Sequence, residues 1–210
     1  MSEPRISLTF DDGPDETWTP HVLAELERCG AHASFFVIAE RLRLAPWVVG
    51  EVAGAGHEVA LHCDRHIRHT DLSEREIEAD TIAALASFAE VGLYPVRWRT
   101  PWGICTPASI RVAERHGLEL VHWSIDTHDW RGDSTAAMLD ATEADLEDGA
   151  IVLMHDGLGP GSRRDGCANT VALIEPLCAL AAERGLSLAG ETPGLEQPDP
   201  FLSSSPTTGG

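Results

Sequence analysis

Residues 6–14 read Ile6-Ser7-Leu8-Thr9-Phe10-Asp11-Asp12-Gly13-Pro14. The first five alternate apolar and hydroxyl side chains, the two-residue period of a strand with one apolar face. The last four end it, because Asp-Asp-Gly-Pro supplies turn chemistry at every position. Taken alone this is a strand running into a turn. Its meaning depends on what the rest of the chain brings beside the two carboxylates.

Outward from this stretch the same unit recurs. Val22, Leu23 and Leu26 fall at helical spacing within Pro20–Cys29, and Ala33–Ile38 is a continuous apolar run of strand length. A helix through Trp47, Val48, Val49 and Val52 is broken by Gly56, ahead of a third strand, His57–His62. Ser73 with Glu76 forms a capping box for a helix continued by Ile77, Thr81, Leu85 and Phe88. A short strand, Val96–Arg99, precedes a helix over Ala108–His116 that Gly117 stops. A fifth strand spans Leu118–Ile125, a helix Thr135–Leu146, a sixth strand Ala150–Met154, a helix Val171–Arg184 and a seventh strand Leu186–Ala189. Each strand but the last is followed by a helix, which predicts a single α/β domain with a parallel sheet under helices. An open doubly wound sheet and a closed or broken barrel both fit this order. From Glu191 the composition turns to Pro, Ser, Thr and Gly, so the domain is expected over 1–190 with a flexible tail at 191–210.

Composition narrows the function. With 210 residues, 43% hydrophobic and 23% charged, the chain has the content of one ordinary globular core. Fifteen basic against 34 acidic residues give a net charge of −19, a field that repels phosphate backbones and anionic lipid and leaves neutral or cationic substrates open. No run reaches the ~20 apolar residues of a membrane span. The segment before Ile6 shows no basic, apolar or cleavage region, so a cytoplasmic location is expected, or secretion if a signal segment has been removed. Cys29, Cys63, Cys105, Cys167 and Cys178 are odd in number and scattered, which suits reduced thiols rather than a disulfide framework or a cysteine zinc site.

The chemistry gathers at the carboxyl ends of the strands. Asp11-Asp12 follows the first, His62 and His66 the third, Arg99 the fourth, Asp126 and Asp129 the fifth, and His155-Asp156 the sixth. In parallel α/β folds these ends share one rim, where active sites form. Each group has an ordinary explanation on its own: a turn, a solvated histidine pair, a helix cap, a buried histidine. Together they supply two imidazoles and a carboxylate for a divalent ion with positions left open, a set that suits hydrolysis. One of Asp11 and Asp12 can ligate while its neighbour accepts a proton from water. His155 is suited to protonate a leaving group, and Arg99 to hold the base ionised.

Five ordered segments, Thr9-Phe10-Asp11-Asp12-Gly13-Pro14, His62-x-x-x-His66, Arg99-Thr100-Pro101-Trp102-Gly103, Asp126-Thr127-His128-Asp129-Trp130 and Leu153-Met154-His155, resemble the motifs of the polysaccharide deacetylase family, carbohydrate esterase family 4. Ala33-Ser34-Phe35-Phe36 looks like that family's second strand, and the likeness runs over roughly residues 6 to 190. The resemblance implies a distorted (β/α)7 barrel and a metal-dependent carbohydrate deacetylase. It implies Asp11 as general base, Asp12, His62 and His66 as metal ligands, and His155 as general acid. It further implies that Asp129 tunes His155 and Arg99 tunes Asp11. The backbone N–H of Trp102 would hold the oxyanion, while Leu153 and Trp130 line the acetyl pocket and groove wall. The implied ion is zinc, with cobalt or nickel also suited, and the implied substrate an N-acetylated amino sugar or short chitin-like oligosaccharide.

Three features depart from the family pattern. Thr100 stands where proline is usual. Cys63 and Ile67 follow the two histidines in place of a small hydroxyl residue and a proline, so Cys63 and Arg65 either reshape the groove beside the metal or face the interior and solvent. A cytoplasmic location would favour a soluble substrate, such as an aminoglycoside-like or other biosynthetic N-acetyl intermediate. An O-acetyl carbohydrate esterase and a non-catalytic, metal-containing carbohydrate-binding module are the other readings. The loop Gly157–Gly166, with Arg163 and Arg164, reads as solvated and within reach of substrate.

Overall fold

The computed structural model describes residues 3–189, and the tail expected at 191–210 lies outside the described residues. The first strand, β1 (Arg5–Asp11), sorts its side chains by the two-residue period: Ile6, Leu8 and Phe10 enter the main core, so Ser7, Thr9 and Asp11 face the other way. The helix α1 (Trp18–Cys29) buries Val22 and Leu26 and ends at Gly30 in the left-handed region. Then come β2 (Ala33–Ile38), α2 (Ala39–Leu44), α3 (Pro46–Gly54) and β3 (Glu58–Cys63). The capping box of Ser73 and Glu76 opens α4 (Glu74–Glu90) as expected. After β4 (Arg97–Trp98), a second box of Thr106 and Ser109 opens α5 (Pro107–His116), which Gly117 ends at φ +64°. The chain continues through β5 (Glu119–Leu120), β6 (Ile125–Asp126), α6 (Thr135–Glu143), β7 (Ile151–His155), α7 (Ala168–Glu183) and β8 (Ser187–Ala189).

Every strand pair is parallel, in the order β5-β4-β3-β2-β1-β7-β6, and β8 pairs with Arg5–Ser7 of β1. Apolar side chains meet on both faces of this sheet. The larger cluster lies between sheet and helices. A small one of Phe36, Ala60, Val121 and Ile151 joins β2, β3, β7 and the segment after β5. Only a curled sheet brings one face of such strands into mutual contact, so the fold is the distorted (β/α)7 barrel rather than the open alternative.

The fifth strand is corrected. Leu118–Ile125 is not one strand but two short ones at opposite ends of the sheet order, β5 beside β4 and β6 beside β7. Residues 121–124 cross the seam between them. The backbone leaves the ladder there, and the His122 carbonyl is satisfied instead by Arg99 Nη2 at 3.0 Å. The one-strand-one-helix rule therefore fails between β5 and β6. It fails again after β2, where α2 was not foreseen because Ala39–Leu44 is under two turns long and Pro46 separates it from α3. Among the described residues no helix is long and apolar enough to cross a membrane.

Candidate active site

The carboxyl ends of β1, β3, β6 and β7 open into a cavity of about 340 Å3, which Trp102 just beyond β4 also lines. Sheet register does much of the positioning. On the adjacent strands β1 and β7, Asp11 stands directly beside His155. Between β2 and β3 the register slips at Val37/Ile38, so that Leu61 and Cys63 have partners on β2 and His62 between them has none. Asp12 takes a left-handed conformation, φ +71°, which a short polar side chain tolerates better than most. The turn separates the two carboxylates: Asp11 faces Arg99, and Asp12 faces the histidines.

Asp12 Oδ1 lies 3.5 Å from His62 Nε2 and 3.3 Å from His66 Nε2. His62 Nδ1 is 2.6 Å from the Arg99 carbonyl, so Nδ1 carries the proton and donates it, leaving the Nε2 lone pair free on the Asp12 side. One ligand atom from each of Asp12, His62 and His66 falls within 4.8 Å of the others. Asp12 Oδ1 and His66 Nδ1 are buried without a hydrogen-bond partner, an unfavourable state for polar atoms. Burial above all pushes the His66 imidazole down to about 4 and keeps it neutral, as a ligand must be. Burial works to raise the Asp12 carboxyl, but the imidazoles around it, His62 and His155 foremost, hold it below the ordinary carboxylate range. An ionised carboxylate with two neutral imidazoles fits a divalent ion of the zinc type.

Two further pairs flank this cluster. Arg99 is fully buried and donates from Nη1 to Asp11 Oδ1 at 2.7 Å and to Thr9 Oγ1 at 2.8 Å. Its guanidinium lies over the Phe36 ring at 4.1 Å, inside the barrel. On the other side, His155 Nδ1 is 2.7 Å from Asp129 Oδ1, and the His155 backbone N–H donates to Oδ2 at 2.9 Å. Burial opposes a charge on this imidazole, but Asp129 outweighs it and the group is held up to about 9. Leu153 and Trp130 line the cavity, and Trp102 turns into it at φ +54° with its ring 4.1 Å from that of His66. The structure thus brings together Asp11, Asp12, His62, His66, Arg99, Trp102, Asp129, Trp130, Leu153 and His155, whereas Asp156 turns away and accepts from Thr19. Cys63 is buried and Arg65 is exposed beside Asp80, 3.8 Å away, so neither reshapes the cavity.

The loop Gly157–Gly166 corrects the expectation of a solvated segment. A β-carbon at Gly159 would overlap the Asp12 carboxylate, so only glycine allows the loop to lie against it. Arg164, with a side chain only 6% exposed, donates from Nη1 to Asp129 Oδ2 at 3.0 Å and from Nη2 to the His155 carbonyl at 3.0 Å. Thr170 Oγ1 donates to the same Asp129 oxygen at 2.7 Å. Arg41 of α2 ties the loop down, donating to the Asp12 carbonyl at 2.5 Å and the Leu158 carbonyl at 2.7 Å. Sequence reasoning missed Arg41 and Thr170 as parts of the site, and placed Arg164 near substrate without its bond to Asp129. The adjacent Arg163 and Arg164 carry no local pattern that tells which is buried.

Metal donors and two charge-held titratable groups at the mouth of a parallel barrel define the metal-dependent hydrolase class. The comparison with known proteins narrows it. Residues 1–121 match the polysaccharide deacetylase family. A peptidoglycan-N-acetylglucosamine deacetylase of Bacillus cereus is 33% identical over 83% of this chain and 82% of its own length. A chitooligosaccharide deacetylase of Sinorhizobium fredii is 33% identical over 86% and 83%. The solved structure of a family 4 carbohydrate esterase from Streptomyces lividans, in complex with acetate, superposes with a TM-score of 0.79 at 30% identity, over 88% of this chain and 91% of that one. The chain belongs to the polysaccharide deacetylase family.

Proposed function

We propose that the chain removes the acetyl group from an N-acetylated amino sugar or a short oligosaccharide of one, using a divalent ion, zinc in this reading. The observation that carries it is the register pairing of Asp11 with His155, each bound to its own counter-charge beside the Asp12–His62–His66 donors. When bound by those three residues, the ion polarises the acetyl carbonyl and lowers the pKa of water. Asp11, held in place by the Arg99 guanidinium, takes the proton of the attacking water. The Trp102 backbone N–H donates to the oxygen that becomes negative as the carbonyl turns tetrahedral. His155, kept protonated by Asp129, delivers its proton to the departing nitrogen. An amine is a poor leaving group until protonated, which is why a histidinium at this position favours N-acetyl over O-acetyl substrates. Leu153 and Trp130 form the wall against which the acetyl group and sugar lie. The relatives that act on N-acetylglucosamine polymers support the substrate class.

The test is metal removal and return. Chelation is expected to abolish acetate release from N-acetylglucosamine oligomers, and stoichiometric zinc, cobalt or nickel to restore it. Full release from metal-free protein, or release only from an O-acetylated xylan, would reject this reading.

A further inference from the structure

Asp80 is the one charged residue among the buried positions of α4, where it stands with Ile77, Thr81, Ala84, Ser87 and Phe88 and is 8% exposed. Burying a carboxylate in such a stripe is costly unless donors meet it. Two backbone donors do. The Asp64 N–H donates to Asp80 Oδ2 at 2.8 Å, and the Arg65 N–H donates to Oδ1 at 3.1 Å. Both residues lie just past the end of β3, between His62 and His66. The chain has left the sheet there, and its N–H groups need acceptors outside the ladder. The segment His62–His66 contains no serine or threonine whose hydroxyl could serve them. Its own carboxylate, that of Asp64, is taken by Arg43 of α2 at 2.6 Å. The Asp64 carbonyl accepts from the Glu40 N–H, also of α2, at 3.3 Å. The segment is thus gripped from two helices, and Asp80 supplies the grip on its amides.

We infer that Asp80 is a positioning residue for the metal site: by holding the two consecutive N–H groups between His62 and His66, it sets how the two imidazoles face Asp12. The inference rests on the proposed function in taking those three residues as the metal ligands. Asp80 acts through the backbone, since its bonds are to amides and not to an imidazole. A carboxylate suits this task because it offers two acceptor oxygens to two adjacent donors and brings no donor of its own. An asparagine of the same shape keeps one acceptor and turns an NH2 toward the other N–H. The near end of the segment is fixed by other means. His62 Nδ1 bonds the Arg99 carbonyl at 2.6 Å, and Cys63 stands opposite Ile38 on β2. At the far end, His66 Nδ1 is buried without a hydrogen-bond partner. That ring is placed by its packing on Trp102 and by the peptides that lead to it, the ones Asp80 holds.

The experiment reads metal affinity and backbone protection, neither of which needs turnover. Zinc affinity is measured by chelator competition for the unmodified protein and for Asp80→Asn. Amide hydrogen exchange at Asp64 and Arg65 is followed in both proteins without metal, with the amides of β1 and β7 as the control for folding. Asp80→Asn is expected to bind zinc about tenfold more weakly, the scale of losing a group that orients metal ligands. Its Asp64 and Arg65 amides should exchange about tenfold faster, the loss of one hydrogen bond to a charged group, while those of β1 and β7 stay protected. A merely structural role would speed all of these amides together and leave the zinc affinity of the folded protein unchanged, and that result overturns the proposal. So does exchange of Asp64 and Arg65 at the unprotected rate in the unmodified protein without metal, a result that stands even if Asp80→Asn does not fold. A failure of the deacetylase reading shows separately, as an unmodified protein that releases no acetate. The affinity and exchange results still decide the role of Asp80.

Discussion

Asp12 depends on a neighbour with no side chain. Gly159 lies so close to its carboxylate that a methyl group cannot be added without displacing one of them. Gly159→Ala is therefore expected to weaken metal retention at least tenfold while leaving the fold intact, measured as bound zinc after dialysis against a graded chelator. His62→Ala should go further and lose most of the metal and the activity together. Stoichiometric metal with full activity in that variant would refute the ligand assignment. The acid side makes a pH prediction. His155 is held up to about 9, chiefly against its burial and by Asp129, so its proton is present at neutral pH and is lost as pH rises through that value. The rate should fall on the alkaline side near pH 9. Asp129→Asn removes the charge that raises the group. The alkaline limb should then move down toward the ordinary imidazole range near 6.5, with a rate loss on the order of 10²–10⁴. An unmoved limb would show that another group sets it.

Among the elements, the seam between β5 and β6 joins fold to chemistry. Arg99 spans it, holding the His122 carbonyl with one nitrogen and Asp11 and Thr9 with the other. Arg99→Met would leave a buried carboxylate unpaired and a crossing backbone unsatisfied. It should lower stability by roughly 3–5 kcal/mol in chemical denaturation, with activity lost at temperatures where the variant remains folded. The sequence made the catalytic ends of these elements legible. Asp11, His62, His66, Arg99, Asp129 and His155 each stand at or just beyond the carboxyl end of a strand, and parallel strands place such positions on one rim. The seam was illegible because Leu118–Ile125 has strand composition throughout. Which neighbour each half pairs with depends on how far the sheet curls. The bond of Arg164 to Asp129 escaped for a similar reason, since the two are 35 residues apart and only the folded loop joins them.

At the scale of the molecule, a parallel barrel gathers groups distant in sequence at one mouth, and the Gly157–Gly166 loop folds over them instead of standing off in solvent. The overall negative charge says little about this mouth, which Arg68 and Arg164 line. The central claim is catalytic: Asp11 takes a proton in a metal-dependent deacetylation, and Asp12 with the two histidines holds the ion independently of it. The direct measurement is acetate release from an N-acetylglucosamine oligomer by Asp11→Asn, alongside its zinc content. The account predicts one bound zinc as in the unmodified protein and a rate lower by on the order of 10²–10⁴, the range for loss of a general base. An Asp11→Asn protein with full zinc and an undiminished rate would contradict it.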